Sequence, residues 1–319
     1  MVFEFNGRNG IGFLKAFADA IGSKIKNGYV HFPKSLGTGY FHGIDIHPQL
    51  RMMIRRYSLN EELVIRRSAM EGGKNIVVLA FHHFFPAEEK KGDQVKLPAV
   101  QITTAGIDYE DLFPVKTAMS TIIITVHIEL LKSLLKPKED DAILQSILSG
   151  DKPFLYEEFI SPQMMNVADE LFRQTPAASL HDFYFRVKAE ELIYLFFAEL
   201  VKRSSASHQQ LNLDDLKNIA AIRNSILQDL GVQPHLPKLA RTYNMSESKM
   251  KKLFRQVYGT SIYNYYQALR MKEAARLLRE GKLSVTEVGY ELGFSNLSHF
   301  SRLFAKHIGT NPKKFSIMS

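Results

Sequence analysis

Two short stretches in the last third of the chain carry side chains that could bind a polyanion. Over 247–258, Met250, Leu253, Phe254 and Val257 fall at i, i+3, i+4 and i+7 of a helix. That spacing leaves Ser248, Lys249, Lys251, Lys252 and Arg255 on the opposite face. Over 296–307, Phe300, Leu303 and Phe304 face inward by the same count, and Asn296, Ser298, His299, Ser301 and Arg302 face out. A lysine ammonium acts on an anion as a point charge, whereas the arginine fork can grip in a bidentate way. The charge balance agrees with the placement. From Leu213 to Ser319 there are 17 lysines and arginines against 8 aspartates and glutamates, while residues 1–212 hold 24 against 25. The whole positive excess therefore lies in the last third. A basic segment joined to a near-neutral one points to a polyanion for the basic part only, with a solubilising surface as the plain alternative.

Other chemistries are set aside by what the chain lacks. With no cysteine among 319 residues, disulfides, thiolate metal sites and cysteine nucleophiles are excluded together. No phosphate loop of the form G-x-x-x-x-G-K-[ST], no H-E-x-x-H and no G-x-S-x-G is present. Gly37, Gly39 and Gly43 miss the dinucleotide-binding spacing. His82 and His83 are neighbours and would face opposite ways on a strand, as would His42 and His47. No catalytic or metal-ligating set emerges, and no cofactor is called for. The apolar runs Ile122–Val126 and Leu192–Leu200 are far too short to span a bilayer. Residues 1–10 show no basic end followed by an apolar run, so no leader and a cytoplasmic location are expected.

The elements that must position these side chains divide the chain into three regions. Residues 1–126 read as strands: Gly28–Phe32, Tyr40–Ile46, Gln49–Leu59, Leu63–Arg67, Asn75–Phe85, Val100–Thr104 and Thr121–Val126, with one helix over Gly12–Ile21. Leu50, Met52 and Ile54 alternate with Arg51, Met53 and Arg55. Ala87–Lys96 is charged and reads as an exposed loop. Many short strands with frequent turns favour a β-sandwich or barrel. Residues 127–212 change period. Ser161-Pro162 opens a helix, Leu180–Leu200 forms another, and polar Lys202–Gln210 reads as a linker. In the second of these helices Phe183, Val187, Leu192 and Phe196 form an apolar stripe, expected to be core or a dimer face.

Residues 213–319 are built on a repeat. Asn212 can cap a helix over Leu213–Leu230, which Gly231 ends. Leu236–Tyr243, a turn, and the Ser246-capped basic helix ended by Gly259 make a helix-turn-helix pattern. About fifty residues on, Ser284 caps Val285–Leu292, and Gly293-Phe294-Ser295 precede a second outward-polar helix that Ser295 or Asn296 caps and Gly309 ends. Met250 matches Phe300, Leu253 matches Leu303, Phe254 matches Phe304, and Gly259-Thr260 matches Gly309-Thr310, with one extra turn residue in the second copy. Between the copies, Ser261 caps a helix to about Arg279. At 1.5 Å per residue it is about 27 Å long, against about 34 Å between successive major grooves on one side of a duplex.

On Leu239-Ala240, Met245-Ser246, Leu253-Phe254, Gly259-Thr260-Ser261, Arg270-Met271, Leu277-Leu278, Val288-Gly289, Gly293-Phe294, Phe300, Phe304 and Gly309-Thr310-Asn311-Pro312, residues 213–319 resemble the DNA-binding domain of AraC/XylS-family transcription regulators. The resemblance implies an all-α tandem helix-turn-helix there. It implies a cupin-like β-barrel or jelly-roll sensor over 1–126 and a helical linker or dimerisation region over 127–212. It implies that Ser248, Lys249, Lys251, Lys252 and Arg255 face one major groove, and Asn296, Ser298, His299, Ser301 and Arg302 another. Arg302 is then the best placed for bidentate guanine readout, and the lysines suit phosphate at least as well as bases. Implied partners are double-stranded promoter DNA, a small-molecule effector, a second copy of the chain and RNA polymerase as a further candidate. Arg55, Arg56, Arg66 and Arg67 could meet an anionic effector or simply face solvent, and no residue is assigned to effector binding. Two other readings stand beside this one: a DNA-binding regulator whose first domain is structural or partner-binding, and a cupin-type enzyme with a basic tail.

Overall fold

A computed structural model describes residues 1–5, 12–68, 73–82, 99–106, 109–113, 115–139, 141–150, 154–202 and 213–318. His83, the charged loop 87–96, most of the linker 202–210 and the cap Asn212 lie outside them. The chain forms two compact units, one running to Leu213 and the other from Asp214 to Ser319. Among the described residues no helix is long and apolar enough to cross a membrane.

The first unit holds strands β1 (Val2–Phe5), β2 (Ile25–Lys26), β3 (Tyr29–His31), β4 (Gly37–His47), β5 (Leu50–Leu59), β6 (Leu63–Arg67), β7 (Ile76–His82), β8 (Ala99–Thr104), β9 (Tyr109–Phe113), β10 (Met119–His127) and β11 (Leu155–Phe159), and helices α1 (Phe13–Ala20), α2 (Ile128–Leu135), α3 (Ala142–Leu148), α4 (Pro162–Arg173) and α5 (His181–Leu200). Eight strands form one sheet in the order β11-β8-β7-β10-β5-β4-β3-β2, and β1-β6-β9 form a second. The larger sheet is open among the described residues, so its end strands do not close a barrel; its form is consistent with a cupin-like domain. The alternation along β5 is what builds it. Leu50, Met52 and Ile54 sit opposite Val126, Ile124 and Ile122 of β10, which sit opposite Val77, Leu79 and Phe81 of β7. All nine are buried, as period-2 strands with one covered face require.

What covers that face is the middle of the chain. Ile128, Ile147, Tyr156, Met164, Leu171, Phe185, Leu192, Phe196 and Leu200 share one core with these strands. Residues 127–202 are thus a structural layer of the sheet unit, and β11 extends its edge. Of the stripe expected to be core or a dimer face, two residues are core. Leu192 and Phe196 are fully buried, while Phe183 and Val187 are 67% and 43% exposed. A 20-residue helix lying on a sheet turns half of its apolar residues inward, and here the inward half contains Leu192 and Phe196.

The opposite face of β3–β5 packs with α1 and the small sheet around Phe3, Phe5, Phe17, Phe41, Tyr57 and Phe113. Arg55 belongs to this second core rather than to solvent: its guanidinium lies 4.7 Å from the Phe41 ring centre and 5.1 Å from that of Phe13. Arg66 pairs with Glu110 at 2.7 Å and with Glu4 at 3.5 Å, Arg67 donates to the Ala105 carbonyl, and Arg56 is exposed. On the helix-covered side, His42 stacks on Tyr29 with ring centres 3.7 Å apart and meets Phe185 and His181 at the start of α5.

Two measurements check this packing. Phe196→Ala should destabilise the sheet unit by about 3–5 kcal/mol, whereas Leu180→Ala, at a position 56% exposed, should change it by less than about 0.5 kcal/mol, read by thermal unfolding. Burial first, and His181 second, lower the pKa of His42 to about 4. The unfolded chain, with an ordinary value near 6.5, binds the proton more readily, so this contribution is complete above pH 6.5 and is lost as pH falls towards 4. Relative to the intrinsic amide rate, which itself slows in acid, the protection of β4 and α5 amides should fall over that window in the wild type and much less in His42→Phe.

Candidate nucleic-acid interface

The second unit contains α6 (Leu213–Gln228), α7 (Leu236–Thr242), α8 (Glu247–Tyr258), α9 (Ile262–Glu280), α10 (Val285–Glu291), α11 (Leu297–Ile308) and α12 (Pro312–Met318). Its seven helices hold the repeat at atomic level. The α7–α8 turn places Asn244 at φ 49°, and the α10–α11 turn places Gly293 at φ 75°. Met245 N–H donates to the Ala240 carbonyl, as Phe294 N–H does to that of Gly289, both at 2.9 Å. Ser246 Oγ accepts from the Lys249 amide, and Asn296 Oδ1 from the His299 amide. The extra residue of the second copy is therefore Ser295, and Asn296 is the cap. Gly259 and Gly309 end α8 and α11 in the left-handed region. The match runs one element further, since Ser261 caps α9 and Asn311 accepts the Lys314 amide at the start of α12.

Capped and stopped in this way, each helix buries one face. Met250, Leu253, Phe254 and Val257 of α8 and Phe300 and Phe304 of α11 are fully buried, and Leu303 is half-buried. Ser248, Lys251, Lys252 and Arg255 are exposed, as are Asn296, Ser298, His299 and Arg302; Ser301 is half-buried. Not every cation on α8 is equally disposed to reach a phosphate. Lys251 Nζ sits 2.8 Å from Glu247 Oε2, and Lys249 Nζ sits 2.7 Å from Asp215 Oδ1. The exposed Lys251–Glu247 pair is screened and weak. Lys252 and Arg255 lie outside both pairs.

Three residues that periodicity does not single out hold the second copy in place. Arg270 of α9 is buried. It donates through Nε to the Leu292 carbonyl at 3.1 Å, through Nη2 to the same oxygen, and through Nη1 to Gln267 Oε1, with its guanidinium 3.6 Å from the Phe294 ring centre. Burial lowers its pKa, and the neighbouring tyrosines Tyr266 and Tyr263 oppose that effect. Gly293 lies so close to Gly231 that a Cβ would stand 2.2 Å from the Gly231 carbonyl oxygen. With its positive φ as well, the position admits only glycine. Tyr266 donates to the Leu230 carbonyl at 3.0 Å, so α9 grips the chain on both sides of that contact. A signal for Arg270 was present in sequence, because an arginine among Tyr266, Leu269, Met271 and Ala274 interrupts an apolar stripe, but its partner lies 22 residues away. Among the described residues no group of three His, Asp or Glu side chains could hold a metal ion.

The chain is similar to several known proteins. A family profile described as a helix-turn-helix domain matches residues 239–316. The Msm operon regulatory protein of Streptococcus mutans serotype c is 30% identical over 154 residues, 48% of this chain and 53% of that protein. The transcriptional activator AggR of Escherichia coli is 36% identical over 94 residues, 30% of this chain and 35% of AggR. The matches thus span about half or less of these relatives, both of which are named as regulators. A crystal structure of a probable AraC family transcriptional regulator from Rhodopseudomonas palustris CGA009 is 24% identical, with a TM-score of 0.30, over 32% of this chain and 96% of that one.

Replacing Arg270 with Met keeps bulk but removes the donors to Leu292. The expected cost is about 1.5–3 kcal/mol, concentrated in the second copy. Amide exchange should rise across α10 and α11 well before α8, and uniform exchange throughout the unit would contradict the assignment.

Proposed function

We propose that this chain, whose residues 239–316 match a helix-turn-helix domain, is an AraC/XylS-type, sequence-specific regulator of transcription acting on double-stranded promoter DNA in the cytoplasm. The observation that carries the reading is that α8 and α11, in matching turns and with matching caps, both bury an aromatic face and turn cations and hydrogen-bonding groups outward. Lys251, Lys252 and Arg255 of α8 neutralise phosphates, with Ser248 beside them. On α11, Arg302 reads guanine through its fork, and Ser298, His299 and Ser301 contact bases or backbone around it. Asn296 acts as the cap that orients this helix.

The sheet unit is the sensor in this reading. A small effector bound there shifts the population between arrangements that differ in DNA affinity. The exposed apolar residues of α5, Phe183, Val187 and Tyr194, support pairing with a second copy, and RNA polymerase is a further partner. A panel of metabolites tests the effector, since a true ligand raises the unfolding temperature of the sheet unit. Silence across the panel favours a regulator with a structural first unit.

The DNA reading itself is tested by footprinting the full chain on genomic fragments. Arg302→Ala should weaken the protected sites by about 1–3 kcal/mol relative to mixed-sequence DNA. Lys252→Ala should weaken all sequences alike and reduce the slope of log affinity against log salt by about 0.9. A chain that binds no duplex even at low salt overturns the reading.

A further inference from the structure

Lys249 is charged and stands in the first turn of α8, yet its surroundings differ from those of its neighbours. Its partner Asp215 lies in the first turn of α6, and the Asp215 side chain is only 9% exposed. Two more ties run from the same face of α6 to the turn before α8: Asn218 Nδ2 donates to the Tyr243 carbonyl at 3.3 Å, and Tyr243 Oη donates to the Ala221 carbonyl at 3.2 Å. Positions 215, 218 and 221 recur at one helical turn, so a single stripe of α6 grips the α7–α8 turn and the start of α8. The first turn of a helix disfavours a cation, because the unpaired amides there carry partial positive charge. A carboxylate placed against Lys249 offsets that. Moving the ammonium to a phosphate would give up a 2.7 Å contact with a nearly buried carboxylate, a stronger pairing than an exposed ion pair offers.

We propose that Asp215 is a positioning residue that keeps Lys249 off DNA: the pair orients the first reading helix on α6, and Lys249 contributes no phosphate contact. The inference rests on the DNA-binding reading above. It makes the outward face of α8 functionally narrower than its lysine count suggests, with Lys251, Lys252 and Arg255 carrying its contacts. It also makes α6, the first helix of the unit, a determinant of affinity through the way it holds α8.

The test is fluorescence anisotropy of the full chain with a mixed-sequence 30-base-pair duplex between about 50 and 200 mM KCl. Lys249→Met should leave the salt slope unchanged. Asp215→Asn should free the ammonium and steepen the slope by about 0.9, an extra three- to fourfold change in affinity across that salt range. The steepening should vanish in the double variant and be absent in Asp214→Asn, which removes an exposed acid from the same turn. A slope flattened by about 0.9 in Lys249→Met overturns the proposal, as does a gain in Asp215→Asn that survives the loss of Lys249 or is matched by Asp214→Asn. Should Asp215→Asn fail to fold, Lys249→Met still decides the matter. A wild type with no salt-dependent binding sinks the DNA-binding reading instead.

Discussion

A buried guanidinium needs acceptors, and in the basic unit that need links the parts. Arg270 lies inside α9, the helix shared by both copies of the repeat, and two of its donors, Nε and Nη2, end on the Leu292 carbonyl at the close of α10. Helix ends leave carbonyls without intrahelical partners, so one side chain satisfies an orphan acceptor and is itself satisfied. The Phe294 ring beneath it adds a favourable cation–π contact. The α10–α11 turn, the cap at Asn296 and the direction of α11 all follow from where that carbonyl is held. The first copy is secured differently, by the ties from α6, so α8 and α11 are supported by separate polar anchors.

Most of the basic unit was legible in sequence because its determinants are local. Caps at Ser246, Ser261 and Ser284, stops at Gly259 and Gly309, and apolar residues at i, i+3 and i+4 act within a turn or two of the chain. Most side chains that the periodicity leaves over look outward in the structure, while Lys249 and Ser301 are half-buried. Long-range pairings were not legible: Asp215 with Lys249 and Arg270 with Leu292 join residues that no local pattern associates.

The sheet unit was legible in its strands and less so in its layers. β5 declares its two faces by alternation, but nothing in that pattern says that the second face is also covered, so Arg55 reads as solvent-facing when it lies among phenylalanines. Helix α5 is apolar around most of its circumference, with Phe183, Phe185, Val187, Leu192, Phe196 and Phe197 spread over several faces. Periodicity cannot then tell which stripe packs and which stays outside. Strands β1, β2, β9 and β11 escaped notice because each is short, and β11 is set between helices. Its membership depends on pairing with β8, more than fifty residues earlier.

The contact between Gly293 and Gly231 has a bearing on how such a unit can diversify. Because backbone meets backbone there, the spacing of the second turn cannot drift, and a lineage has no gradual route to altering it. The exposed positions 298, 299 and 302 carry no comparable constraint. Variation can therefore accumulate on the outward residues while the scaffold stays frozen, so that the chemistry of the exposed face changes without a new architecture.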